Sequence, residues 1–193
     1  MDAPPRLVAE GLACERGGRR VFAGLDFALA PGEALQVEGR NGAGKSSLLR
    51  LLAGLLRPAA GRLANPFRTA FAGHEVSMKP AMRLGAELAY WARLDGARPE
   101  AVGAALAAFD LADLAALPVA VLSSGQKRRA ALARVAASGA ELWLLDEPGV
   151  GLDTASMARL AAVLADHRAR GGLVVAATHG DIGLDAPARL VLG

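Results

Sequence analysis

The stretch Gly39-Arg40-Asn41-Gly42-Ala43-Gly44-Lys45-Ser46 restricts the possible folds of this chain more than any other segment. A glycine, four free positions and then Gly-Lys-Ser is the spacing of a phosphate-wrapping loop, which requires a strand before it and a helix after it. Both flanks read that way. Ala34 to Glu38 is a short apolar strand behind the turn Pro31-Gly32, and a helical pattern runs from Lys45 to Leu56, closed by Pro58. Glycines let the backbone amides approach phosphate oxygens closely, and the helix N-terminus adds its partial positive charge. Lys45 would reach the β- and γ-phosphates, and the Ser46 hydroxyl, with Ser47 behind it, is placed to ligate Mg2+. A chance glycine turn would have no reason to sit between these two elements.

The rest of the chain continues the alternation. Residues 6–14 and 20–29 read as strands separated by the turn Arg16-Gly17-Gly18-Arg19. Residues 84–94, 97–110 and 124–138 carry leucine and alanine on repeating helical faces. Leu142 to Leu145 and Leu173 to Thr178 are buried strands, and Arg189 to Leu192 is read as the last. Asp153 can N-cap a helix to about Arg170, which Gly171-Gly172 ends. Such alternation predicts an α/β fold with a largely parallel sheet, interrupted by a helical middle over roughly 75–130.

Composition sets the remaining bounds. A chain of 193 residues builds one domain, and 53% apolar with 21% charged residues is a globular balance whose 4% aromatics make the core aliphatic. The single Cys14 has no internal disulfide partner and fits a reducing compartment. Met1 to Pro5 is read as carrying no secretory signal, and no run reaches the ~18 uncharged apolar residues of a spanning helix. A soluble protein is expected, meeting a membrane only through a partner. The net charge of +3 is too small to argue for nucleic acid.

Further along the chain, Leu142-Trp143-Leu144-Leu145-Asp146-Glu147 delivers two acids at the carboxyl end of a buried strand, where open α/β sheets bind ligands. Asp146 would hold Mg2+ directly or through water. Glu147 would act as general base or orient the attacking water, and the two carboxylates are expected on different faces of the strand end. Leu122-Ser123-Ser124-Gly125-Gln126 stands about 20 residues earlier, at the start of a helix. It resembles the L-S-G-G-Q signature of the ABC ATPase family, with Ser124 replacing a glycine.

The family resemblance extends to other positions. Gly151-Leu152-Asp153 is similar to the D-loop, and His179, after Val174 to Thr178, to the switch histidine that contacts the γ-phosphate. It implies a single ABC domain over 1–193, with a RecA-like core at about 1–73 and 131–193, N-terminal antiparallel strands, and a helical subdomain inserted at about 74–130. It also implies ATP bound by Gly39 to Ser47 and, across a head-to-tail homodimer, by Ser123, Gly125, Gln126 and Asp153 of the opposite copy. His74 stands where the family usually has glutamine, and imidazole can still hold a water near Mg2+. Arg16 takes the place of the aromatic that stacks on adenine; its guanidinium either stacks on the base or is solvated. His167, between Asp166 and Arg168, is read as a solvated helix residue.

Cys14-Glu15-Arg16, Gly73-His74, Met78-Lys79-Pro80 and the run from Ser124 to Arg134 together resemble the CcmA family, the haem exporter ATP-binding subunits of cytochrome c maturation. The segment Gly61 to His74 is short for the hairpin of that group, and Gly149-Val150 stands where that group usually carries a bulkier residue and Thr. The resemblance implies a peripheral subunit on the cytoplasmic face of the inner membrane, beside an integral partner of the CcmB type with CcmC-type components nearby, and no nucleic acid. Met78, Pro80, Met82, Leu84, Tyr90 and Trp91 are an expected docking groove for that partner, with packing of the subdomain's own core as the alternative for Leu84 and Tyr90. An ABC transporter for another substrate and a non-transport ABC ATPase are the competing readings.

Overall fold

Two glycines set the geometry of the first hairpin. Gly17 and Gly18 have φ of 55° and 73°, the left-handed pair that a two-residue turn demands, and they join β1 (Leu7–Arg16) to β2 (Arg19–Leu29) with Arg16 opposite Arg19. The computed structural model describes residues 4–193, so the signal reading at Met1 to Ala3 lies outside the described residues. β4 (Ala60–Ala64) completes this antiparallel sheet, in the order β2-β1-β4.

A second sheet of five parallel strands runs β5-β6-β7-β3-β8, formed by β3 (Ala34–Gly39), β5 (Thr69–Ala72), β6 (Leu142–Asp146), β7 (Leu173–Ala177) and β8 (Ala188–Leu192). Every residue of β6 and β7 is buried, which their unbroken apolar runs require of a sheet covered on both faces. The α/β class with a parallel core sheet and N-terminal antiparallel strands is what the sequence predicts. The short segment after Gly61 makes no hairpin, because β4 and β5 belong to different sheets.

The helices are α1 (Lys45–Leu52), α2 (Leu84–Leu94), α3 (Glu100–Ala108), α4 (Ser124–Ala137) and α5 (Thr154–Ala169). α1 stops well before the predicted Leu56. Gly54 takes φ 72° just past the Ala53 cap, its N–H bonds to Leu51 O, and the Leu55 N–H bonds to Arg50 O. This is the Schellman closure, so a glycine ends the helix before Pro58 is reached. α3 starts at Glu100 because Pro99 occupies the residue before it. Asp153 caps α5 as expected, accepting from the Ser156 N–H at 2.7 Å.

α1 lies between the two sheets. Its Leu48, Leu49, Leu51 and Leu52 are all at most 2% exposed among residues of β1, β3, β6 and β7. Burying such side chains stabilises by about 1.5–3 kcal/mol each, which anchors the helix whose N-terminus carries Lys45. The opposite face of the parallel sheet packs with α2, α3, α4 and α5 into one further core. Cys14 is buried in the first core, and burial pushes its thiol pKa up.

His167 is not a solvated helix residue. It is buried, its ring lies parallel to Trp143 with centroids 3.7 Å apart, and its Nε2 is 3.1 Å from Glu141 O. Charged neighbours in sequence hid an inward-facing position of α5. Burial pushes its pKa from 6.5 to about 4. The neutral ring is therefore favoured in the folded chain, while the unfolded chain takes up a proton below 6.5. Stability from this group is fully present above pH 6.5 and declines as pH falls from there to about 4, by a total on the order of 3 kcal/mol. His167→Phe is expected to keep the stack and flatten this slope. Urea unfolding of both proteins at pH 7 and pH 5 checks it, and an equal loss of midpoint in the two would rule out His167 as the source.

Candidate functional site

The loop after β3 obeys two packing limits. A Cβ on Gly39 would meet Leu192 O at 2.2 Å, and one on Gly44 would meet Val21 Cγ1 at 2.4 Å, with φ of 143° and 105° at the two glycines. Only glycine lets the loop pass β8 and β2 this closely and still turn into α1. The result is a cleft of about 570 Å3 lined by Arg40, Asn41, Gly42, Gly44, Lys45, Ser46 and Ser47, together with Arg16, His74, Asp146 and Glu147. A larger cleft of about 890 Å3 borders the same loop on its β8 side. It is lined by Gly39, Arg40 and His179, shares Arg40 with the first cleft and is edged by the Glu38–Arg189 ion pair at 3.3 Å.

Three reactive side chains converge at the end of the first cleft. Lys45 Nζ donates to Gly39 O at 2.7 Å and stands 2.9 Å from His179 Nε2. The ammonium can only donate in that contact, whereas the oxygens of Asn41 and Glu147 near the same nitrogen can only accept. Glu147 Oε1 is 4.0 Å from Lys45 Nζ and 3.6 Å from His179 Nε2, and Asn41 Oδ1 is 3.3 Å from the same imidazole nitrogen. Lys45 is buried while the His179 side chain is half exposed, so the lysine is fixed and the histidine has room to move.

Asp146 and Glu147 do not diverge onto opposite faces. Both line the same cleft. Glu147 leaves the strand with φ 50°, left-handed backbone that costs a non-glycine residue about 1–3 kcal/mol, and its N–H is tied to Ala177 O at 2.8 Å. The turn brings the second carboxylate back toward Lys45. Hydrophobic periodicity gives no sign of such a residue.

The signature segment lies elsewhere. Ser123 caps α4, accepting from the Gln126 N–H at 3.2 Å, and Gln126 Oε1 accepts from the Ser123 N–H at 2.8 Å. Gly125 sits against Gly151 O of the segment before α5. Neither Ser123, Gly125 and Gln126 nor Asp153 lines the cleft of their own chain. Around α2, Met78 packs on the core and Met82, Tyr90 and Trp91 are half-buried. Lys79 Nζ sits 4.5 Å from the Tyr90 ring centre and the Arg134 guanidinium 5.2 Å from that of Trp91. A cation thus lies over the ring of each of these two aromatics. Sequence reading passed over Arg128, which is buried behind the acidic strand end. Its one signal is an arginine two positions past Gln126, within a cationic run that otherwise looks like solvated surface.

Comparison with known proteins agrees with this layout. The ABC transporter family model matches residues 22–150. The chain is 51% identical to the cytochrome c biogenesis ATP-binding export protein CcmA of Rhodospirillum rubrum, over 99% of this chain and 87% of that protein. It is 50% identical to the protein of the same name from Sphingopyxis alaskensis, over 97% and 96% of the two chains. Among solved structures, an ABC transporter assigned to the metal-chelate type, in an inward-facing conformation, superposes with a TM-score of 0.83 at 30% identity, over 97% of this chain and 79% of that one.

Proposed function

The chain belongs to the ABC transporter family and, within it, to the cytochrome c biogenesis ATP-binding export proteins, and we propose from that premise how its cleft does the work. It is an ATP-hydrolysing motor subunit of a transport complex for cytochrome c biogenesis. The ATP phosphates rest on the amides of Gly39 to Ser47, with Lys45 turning from Gly39 O and His179 toward the β- and γ-phosphates. Glu147 polarises the attacking water, and His179 steadies the γ-phosphate. The observation that carries this reading is the convergence of Lys45, Glu147 and His179 within 4.0 Å at the end of a cleft lined by the loop.

Mg2+ is part of the proposal. Ser46 and Asp146 line one cleft, and a hydroxyl with one carboxylate suits an ion that completes its shell with phosphate oxygens and water. Among the described residues no group of three or more His, Cys, Asp or Glu could hold a metal without such help. Bound there, Mg2+ would offset negative charge on the phosphates. His74 would hold a water beside it, and Arg16 would lie along the adenine.

The partners follow from the same reading: a second copy of this chain, an integral protein of the CcmB type, and CcmC-type components nearby, at the cytoplasmic face of the membrane. The RecA-like core at about 1–73 and 131–193 would bind ATP and the helical part at about 74–130 would meet the partner. No helix among the described residues is long and apolar enough to cross a membrane, which leaves spanning segments to that partner. Affinity-tagged chain extracted from native membranes is expected to bring down the CcmB-type protein, and its deletion to abolish holocytochrome c. Recovery of a different permease with normal cytochrome c would overturn the assignment to this transport system.

A further inference from the structure

Arg128 is only 6% exposed, yet its guanidinium faces backbone carbonyls rather than a carboxylate within ion-pair distance. Nε donates to Pro148 O at 3.4 Å, Nη1 to Gly73 O at 3.0 Å and His74 O at 3.4 Å, and Nη2 to Asp146 O at 2.7 Å and to Glu147 O. Those five oxygens come from two segments that are distant in sequence. One is the strand end carrying both acids; the other is the turn carrying His74. A planar fork with five N–H groups can hold such a set, whereas a lysine ammonium has three donors on one atom. Burial pulls the guanidinium pKa down, and the nearby Asp146 and Glu147 carboxylates oppose that shift.

The backbone here needs an external hold. Glu147 sits in left-handed conformation, and Arg128 takes its carbonyl while Ala177 O takes its N–H. The arginine itself stands on α4, the helix that begins with Ser124-Gly125-Gln126. We propose that Arg128 is a positioning residue for ATP hydrolysis. It clamps the Asp146–Pro148 strand end to the Gly73–His74 turn and fixes the Glu147 carboxylate relative to the phosphate loop. Through α4 the same clamp ties the aim of each chain's acid to the position of its own signature segment. A nucleotide engaging that segment from a second copy then bears on this chain's Glu147. The clamp rests on the reading of Glu147 as the hydrolytic acid.

Arg128→Lys keeps the charge and loses the fork. Its ATP Kd and KM are expected to stay within ~2-fold of wild type while kcat falls ~10- to 100-fold, the size of loss that small misplacement of a catalytic group produces. Because Arg128 acts through Glu147, the Arg128→Lys/Glu147→Gln double variant should be slower than Glu147→Gln alone by no more than ~2-fold in single-turnover assays. Arg128→Gln, whose amide reaches fewer of the carbonyls, carries the same test if the lysine variant does not fold. A wild-type kcat in Arg128→Lys, a loss that is entirely in KM, or multiplicative losses in the double variant would each overturn the clamp. If Glu147→Gln alone hydrolyses ATP at the wild-type rate, the assignment of Glu147 falls and this inference with it. A slow Glu147→Gln beside a fast Arg128→Lys removes the clamp alone.

Discussion

Replacing Glu147 with glutamine is expected to preserve ATP binding and lower steady-state hydrolysis by roughly 10²- to 10⁴-fold, the range that general acid–base catalysis contributes. The substitution is nearly isosteric, so the left-handed turn at φ 50° and its tie to Ala177 O should persist. What disappears is negative charge 4.0 Å from Lys45 and 3.6 Å from His179. Lys45 keeps its grip on the phosphates and loses a competing carboxylate, so affinity should hold or rise slightly. With binding intact and hydrolysis slow, the variant should accumulate as an ATP-bound dimer, visible as a shift in light scattering on adding ATP with Mg2+. Hydrolysis at the wild-type rate would show that another group activates the water, and His179 would be the next to substitute.

Much of this cleft was legible in the residues because its chemistry is local in sequence. The loop from Gly39 to Ser47 needs a strand before it and a helix after it, and both flanks carry the apolar pattern that says so. The buried strand before Asp146 reads equally well, since four consecutive core positions, Leu142 to Leu145, leave an uninterrupted apolar run. What stayed hidden depends on long-range geometry. β4 is a poor strand by composition, with two glycine or arginine positions exposed at Gly61 and Arg62, and exists because it pairs with β1. His167 looks solvated by its neighbours and is buried because α5 turns that face toward Trp143. The left-handed backbone at Glu147 and the carbonyls gathered by Arg128 arise only once α4, β6 and the turn after β5 have packed. Apolar periodicity finds faces and ends of elements; it is blind to a polar side chain whose partners are backbone oxygens 18 to 55 residues away.

If, as proposed, two copies share each ATP site, mixing two inactive variants should restore activity. Ser123, Gly125, Gln126 and Asp153 do not line the cleft that holds Lys45, so any contact between the signature segment and ATP must come from another copy. In the proposed dimer, two copies related by a two-fold axis would supply each other's missing half. Lys45→Ala removes the only ammonium reaching into the cleft from the loop, and ATP affinity should fall sharply at both sites of a homodimer. Ser123→Arg should leave binding to the loop intact. It breaks the mutual cap with Gln126 and puts a long cation at the start of α4, so closure over nucleotide fails at both sites. A dimer with one copy of each variant concentrates both lesions in one site and leaves the other wholly native. Random pairing makes half of all dimers mixed, so an equimolar mixture should recover up to about a quarter of wild-type ATPase activity, less if the two sites fire only together. Each variant alone should stay near background. Subunit exchange is followed independently by energy transfer between labelled chains, and background activity despite demonstrated exchange would mean that each chain closes its site by itself.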